Sequence, residues 1–169
     1  MKVRGREREL EDLNLLLKKK SSSLVVIRGR RRVGKSRLIQ EFAKDKKCWT
    51  FAGLPPVSGM TKQRQIDAFS SQVSQNLKMP AMQAQDWNAY FAFLGNQAQG
   101  QKIVIVFDEI SWMGSEDVDF LGHLKNAWDL YFSINPDLVL ILCGSVSSWI
   151  EENILRNTGF LGRISMSLL

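Results

Sequence analysis

Gly29-Arg30-Arg31-Arg32-Val33-Gly34-Lys35-Ser36 sets two glycines, a lysine and a hydroxyl at the spacing of a loop that cradles phosphate. The glycines let the backbone curl until successive N–H groups, those of Arg30, Arg31, Arg32 and Val33 among them, face anionic oxygens. Lys35 is then placed to reach the β- and γ-phosphates of a nucleoside triphosphate, and the Ser36 hydroxyl to ligate Mg²⁺. Arg37 adds a further positive charge one residue on. The same pattern arises by chance in roughly one chain in a hundred of this length. Its surroundings make chance a poor account.

Those surroundings are a strand before the loop and a helix after it. Leu24-Val25-Val26-Ile27 precedes the loop, and Arg37-Leu38-Ile39-Gln40-Glu41-Phe42-Ala43 follows with helical spacing. A helix opening there aims its N-terminal partial positive charge at the bound anion. A second apolar run, Ile103-Val104-Ile105-Val106-Phe107, ends in Asp108-Glu109, which has the form of a Walker B element. In a parallel sheet ligands gather at the carboxyl ends of the strands, so Asp108 is expected beside the loop, within reach of the Mg²⁺ shell. Glu109 points differently and is expected to orient the attacking water. Gly144-Ser145 ends a third run, Leu138-Val139-Leu140-Ile141-Leu142-Cys143. Ser145 has two readings there: a hydroxyl for the γ-phosphate or the water, or a turn residue or the N-cap of the helix from Ser147.

The elements that position these residues alternate. Helices are expected over Glu7–Lys20, Lys35–Lys44, Thr61–Leu77, Gln85–Ala98, Ser115–Phe132 and Ser147–Leu155, from apolar faces such as Ile66, Phe69, Val73 and Leu77. Strands are expected over Leu24–Arg28, Cys48–Ala52, Ile103–Phe107, Leu138–Cys143 and Ile164–Leu169. The continuous apolar runs suit strands buried on both faces. Strands alternating with helices imply an α/β fold with a mostly parallel sheet between helical layers. Gly53 to Gly59 holds two prolines and reads as a loop.

At 169 residues the chain fits one such domain. No apolar run approaches the roughly 18 residues of a membrane span, and Met1 to Glu7 has no apolar stretch behind it for a signal peptide. Cys48 and Cys143 sit in apolar strand-like segments as small hydrophobes, so a reduced, cytoplasmic protein is expected. His123 is the sole histidine, which excludes a cysteine–histidine zinc site. The net charge is +6, but residues 1–37 hold 13 of the 23 basic residues against 4 acidic ones, while the remainder is slightly acidic. The excess surrounds the phosphate loop, where a polyphosphate needs it. Lys18-Lys19-Lys20 reads either as a DNA contact or as a solvated helix end.

Gly29 to Ser36, Phe107-Asp108-Glu109-Ile110-Ser111-Trp112 and Leu142-Cys143-Gly144-Ser145 together resemble the archaeal-type ATPase family, close to the AAA+ and STAND proteins. Arg4-Gly5-Arg6-Glu7 is similar to the Gly-Arg-Glu signature with which its members begin. The likeness spans nearly the whole chain. It implies a three-layer P-loop fold with five parallel strands in the order 5-1-4-3-2, and Mg²⁺-ATP as the ligand. It also implies that the N-terminal segment, Arg4 included, lies near the adenine. Gly159 to Ile164 is similar to the element that precedes the last strand, where an arginine finger reaches a neighbouring subunit. Arg163 is the candidate and Arg156 the substitute, with a structural ion pair as the other reading. Members of the family continue into a lid or effector region, so residues 1–169 are expected to be a single core without it. Three functions remain in competition: an ATPase core with a homo-oligomer as its working form, a nucleotide-gated switch read by an effector domain, and an ATP-regulated DNA-binding module. An Asn-Lys-x-Asp element for guanine, a Leu-Ser-Gly-Gly-Gln signature and an Asp-Glu-Ala-Asp box are absent.

Overall fold

The computed structural model describes residues 5–30, 34–83 and 86–169. In chain order the elements are α1 (Glu7–Leu16), β1 (Ser23–Arg28), α2 (Lys35–Ala43), β2 (Lys47–Ala52), α3 (Lys62–Leu77), α4 (Trp87–Ala98), β3 (Ile103–Asp108), α5 (Ile110–Met113), α6 (Phe120–Ala127), β4 (Leu138–Gly144), α7 (Ser147–Ile150) and β5 (Met166–Leu168). All strand pairs are parallel, in the order β2-β3-β4-β1-β5. That is the expected 5-1-4-3-2 order written from the other edge.

Every residue of β4 is buried, and so are the first five of β1 and of β3. Alternation sends their side chains to two different cores. Phe51, Phe107, Leu140 and Leu142 face α3, α4 and α6, among Phe69, Trp87, Phe91, Phe120 and Phe132. Phe69 sits at the centre: it stacks on Phe51 at 4.5 Å and meets Trp87, Phe91 and Phe107 edge-on. Each such pair adds about 1 kcal/mol beyond its buried area. The opposite face is aliphatic: Val25, Ile27, Val104, Val106, Val139 and Ile141 pack on Leu13, Leu38 and Phe42 of α1 and α2.

The free edge of β2 is closed by side-chain amides from α3. Thr50 N donates to Asn76 Oδ1 at 3.1 Å and Asn76 Nδ2 returns a bond to Thr50 O at 2.9 Å. Gln72 does the same for Ala52 at 2.6 and 3.0 Å, and Gln65 for Leu54 at 2.8 and 3.0 Å. Residues 50, 52 and 54 turn their peptide groups outward, and each finds a carboxamide in place of another strand.

Several boundaries differ from expectation. α1 stops at Leu16, and Leu17 to Lys19 make tighter turns instead of a further helical turn. The helix expected over Ser115–Phe132 starts only at Phe120, because Gly114 closes α5 and lies so near the Phe120 ring that a Cβ there would sit 2.5 Å from it. Helix α6 continues as a π-helical turn over Trp128–Phe132, and α7 as another over Glu151–Leu155; Ser133 N and Arg156 N each bond the carbonyl five residues back. β5 has three residues rather than six. Helix α4 begins at Trp87, capped by Asp86; the earlier start expected at Gln85 lies outside the described residues.

Candidate functional site

β1, β4 and β3 are neighbours, so their carboxyl ends lie side by side. The first leads into the phosphate loop, the second into Gly144-Ser145 and the third into Asp108-Glu109. Ile27 is in register with Cys143, and Phe107 with Leu142, which puts Cys143 between the loop strand and the acidic strand. The Cys143 thiol is pushed well above its ordinary pKa, first by burial and then by the Asp108 carboxylate; Glu109 pushes the same way and the Lys35 ammonium opposes it. One atom at this tip thus senses the loop lysine and both acids. The sequence placed these groups together, and the strands bring them together.

On the loop side Gly29 has φ 140° and Gly34 φ 85°, backbone conformations open to glycine and rare for other residues. Gly34 is the residue immediately before α2, so Lys35 is already in the first helical turn. Lys35 is buried, and its Nζ donates to the Gly29 carbonyl at 2.5 Å and the Arg30 carbonyl at 2.7 Å. Ser36 and Arg37 are exposed beside it. Arg31, Arg32 and Val33, and Arg4 in the N-terminal segment, lie outside the described residues.

The N-terminal segment reaches the loop through a residue that sequence reasoning passed over. A Cβ on Gly34 would lie 3.6 Å from Arg6 Nε, and Arg6 Nη1 is buried with no hydrogen-bond partner. A guanidinium nitrogen held out of water beside a phosphate loop suits an anionic or heterocyclic ligand. The signal was present in Gly5-Arg6-Glu7, whose arginine is the second of the two that flank Gly5.

On the acid side the polar groups hold one another. Asp108 Oδ1 accepts from Glu109 N at 2.8 Å and from the Cys143 thiol at 3.1 Å. Gly53 N, just past the end of β2, donates to the Asp108 carbonyl at 3.0 Å. Glu109 has φ 51° and ψ 54°, a left-handed conformation that costs a residue with a side chain of order 1 kcal/mol. Its carboxylate oxygen Oε2 accepts from the Ser145 hydroxyl at 3.1 Å and from Ser145 N at 3.4 Å. Ser145 sits in a bend after β4 and is not a helix cap, since α7 has no side-chain cap; its contact to the acid belongs to neither of its two readings.

The donor set fits Mg²⁺. Hard oxygen donors, the Ser36 hydroxyl and the Asp108 carboxylate, flank the loop, and Mg²⁺ ordinarily takes one or two protein oxygens and completes its shell with phosphate and water. Among the described residues no group of three or more His, Cys, Asp or Glu could hold a metal by itself. Cys48, unlike Cys143, is half-buried, beside Thr50.

The two arginines weighed as fingers are both in ion pairs. Arg163 grips Asp129 with two bonds, Nε at 2.8 Å and Nη2 at 2.9 Å, and holds that carboxyl below its usual range. Ser165, two residues on, bonds Leu24 near the start of β1, so Arg163 lies at the amino ends of the strands, away from its own chain's phosphate loop. Arg156 pairs with Glu151, which also pairs with Arg28 at the end of β1. No helix among the described residues is long and apolar enough to cross a membrane.

Residues 4–169 match the model of a family described as an ATPase domain predominantly from Archaea. The chain is 27% identical over 164 residues to an uncharacterised protein of Methanocaldococcus jannaschii, a match covering 92% of this chain and 34% of that protein. Among solved structures it is similar to a Walker-type ATPase of Pyrococcus abyssi, with a TM-score of 0.64 and 19% identity, over 97% of this chain and 52% of the other. It is also similar to the ORC2 protein of Aeropyrum pernix, described as ADPNP–ADP complexes, with a TM-score of 0.58 and 18% identity, over 99% and 48%. The chain therefore spans about a third to a half of the length of these relatives. Its five-stranded parallel α/β fold is similar to that of the P-loop ATPases among these solved structures, and by the family match over nearly its whole length it belongs to the predominantly archaeal ATPase-domain family.

Proposed function

We propose that this domain binds Mg²⁺-ATP at the carboxyl ends of β1, β4 and β3 and hydrolyses it to ADP and phosphate. The observation that carries the reading is the sheet order: the parallel neighbours β3, β4 and β1 end side by side, leading into Glu109, Ser145 and the Gly29 loop whose Lys35 is buried. Lys35 exchanges the Gly29 and Arg30 carbonyls for β- and γ-phosphate oxygens, and the loop amides take the rest of the negative charge. Ser36 and Asp108 hold Mg²⁺, which supplies neutralisation of the charge that develops on the phosphates. Glu109 orients the attacking water. Ser145, which bonds the Glu109 carboxylate, steadies it or releases it toward the γ-phosphate. Arg6 and Arg30 lie along the rest of the nucleotide. Phosphoryl transfer asks for little covalent chemistry, so positioning and charge stabilisation account for most of the acceleration.

Calorimetry with ATP and Mg²⁺, followed by turnover of a Glu109→Gln variant, tests this. The variant is expected to keep its nucleotide affinity and lose turnover by a factor on the order of a hundred or more. Equal steady-state rates in the two proteins would remove Glu109 from its role. Absence of heat from a folded wild-type sample would remove the site altogether.

The Ser145–Glu109 contact also favours a second reading, a nucleotide-gated switch. With Glu109 held by Ser145, turnover is slow and the bound nucleotide sets the conformation that a region outside residues 1–169, or a second copy, reads. Single-turnover rates separate the two: a large gain on raising the chain concentration, or on adding the remainder of a longer protein, favours the working ATPase.

A further inference from the structure

The strand-end cysteine has no part in the mechanism above, yet it is the side chain wedged between its two halves. We propose that Cys143 is a positioning residue for the Mg²⁺-holding carboxylate: its thiol donates to Asp108 Oδ1 and fixes the carboxylate plane, leaving Oδ2 for the metal shell. This rests on the Mg²⁺-ATP reading and adds to it a residue that touches neither nucleotide nor water.

Three observations carry it. Asp108 Oδ1 accepts two bonds, from Glu109 N at 2.8 Å and from Cys143 Sγ at 3.1 Å, so one oxygen is satisfied by protein while Oδ2 has no protein donor among the described residues. Cys143 is 1% exposed and its neighbours in β4 are buried too, so the thiol has the Asp108 carboxylate, not bulk water, as its partner. The backbone on both sides is pinned, by the β1 register at Ile27 and by the Gly53 bond to the Asp108 carbonyl, so the sulfur and the carboxylate keep their separation. A donor bonded to the outer oxygen of a metal-holding carboxylate orients it and, when removed, ordinarily costs 10–100-fold in metal affinity. A thiol is a weak donor, so the lower end of that range is expected here.

The test compares Cys143→Val, which fills the space and removes the donor, with Cys143→Ser, which restores a donor. Affinity for ATP is measured by calorimetry in EDTA and across a Mg²⁺ titration, with circular dichroism and thermal unfolding to follow the fold. In Cys143→Val the affinity in EDTA is expected to stay within about twofold of wild type, while the Mg²⁺ concentration at half-maximal effect rises about tenfold. Cys143→Ser is expected to return it most of the way. A Cys143→Val protein with the wild-type Mg²⁺ response would overturn the inference, since packing alone would then be the role of Cys143. So would a folded Cys143→Ser protein no better than Cys143→Val. If wild type binds ATP in neither condition, the nucleotide reading itself fails, an outcome distinct from normal binding with an unchanged Mg²⁺ response.

Discussion

The free edge of β2 and the carboxyl tips of β1, β4 and β3 are both places where a parallel sheet exposes peptide groups, and the protein treats them in opposite ways. Along β2 and just past its end, Thr50, Ala52 and Leu54 have each N–H and each C=O closed by Asn76, Gln72 and Gln65. At the tips, Arg6 Nη1 is buried without a partner, Ser36 is exposed, and Lys35 rests on carbonyls of its own loop. A surface whose polar groups are all paired offers nothing to a second molecule; one with spare donors beside a glycine-rich turn offers an anion site. The contrast separates a device for staying closed from a device for binding.

Removing the loop cation breaks the contrast from the open side and should have the largest effect. Lys35→Ala takes away the one buried ammonium among the described residues and leaves the Gly29 and Arg30 carbonyls without its bonds. Nucleotide affinity is expected to fall at least about a hundredfold, consistent with loss of more than one charge-assisted bond. Wild-type affinity in a folded Lys35→Ala protein would place the nucleotide elsewhere.

From the closed side, Gln65 is the informative position because it is 2% exposed. Gln65→Leu keeps the volume but strips Leu54 of both partners, and unfolding stability is expected to drop by about 1–3 kcal/mol. Denaturant titration reads it. Gln72 and Asn76 act where water can reach, so Gln72→Ala with Asn76→Ala should cost less in stability, on the order of 1 kcal/mol. Its sharper sign is kinetic and colloidal: faster hydrogen exchange at the Thr50 and Ala52 amides, and self-association as β2 becomes free to pair with another chain. Unchanged exchange at both amides would show that the bonds contribute nothing to closing the edge.

How far the sequence reveals these two regions follows from what each depends on. The tips depend on local order: a loop spacing, a strand ending in two acids, a strand ending in glycine and serine. Strand alternation then sets the topology, and the neighbouring ends of β1, β4 and β3 carry Lys35, Ser145, Asp108 and Glu109 to one end of the sheet. The β2 edge depends on contacts between residues 11 to 26 positions apart, and glutamines on a helix face look like any solvated surface until the strand is seen beside them. Cys143 read as a small hydrophobe for the same reason; its partner is 35 residues away. Arg6 was hidden beside Arg4 around one glycine, and the fold shows Arg6 lying on Gly34. The break after Gly114 was invisible because a glycine and a ring from Phe120 decide it at close range, whatever the apolar period says.

The amino ends of the strands give a third case and the smallest effect. Asp129 is paired with Arg163 at 2.8 Å and with Lys125 at 3.7 Å, but about a third of each side chain is exposed, so solvent screens the pair. The Arg163 bonds, ahead of the Lys125 charge, hold the Asp129 carboxyl below its ordinary value. A carboxyl that ionises more readily in the fold than in the unfolded chain adds stability above the unfolded value, about 3.9, and loses it as pH falls through the folded one. Arg163→Met should therefore move the Asp129 carbon-13 titration upward and flatten the decline in thermal stability below about pH 4, leaving stability near neutral pH only slightly lower. An identical Asp129 titration in both proteins would show that the two bonds do not persist in solution, and Arg163 would then be free to serve another surface.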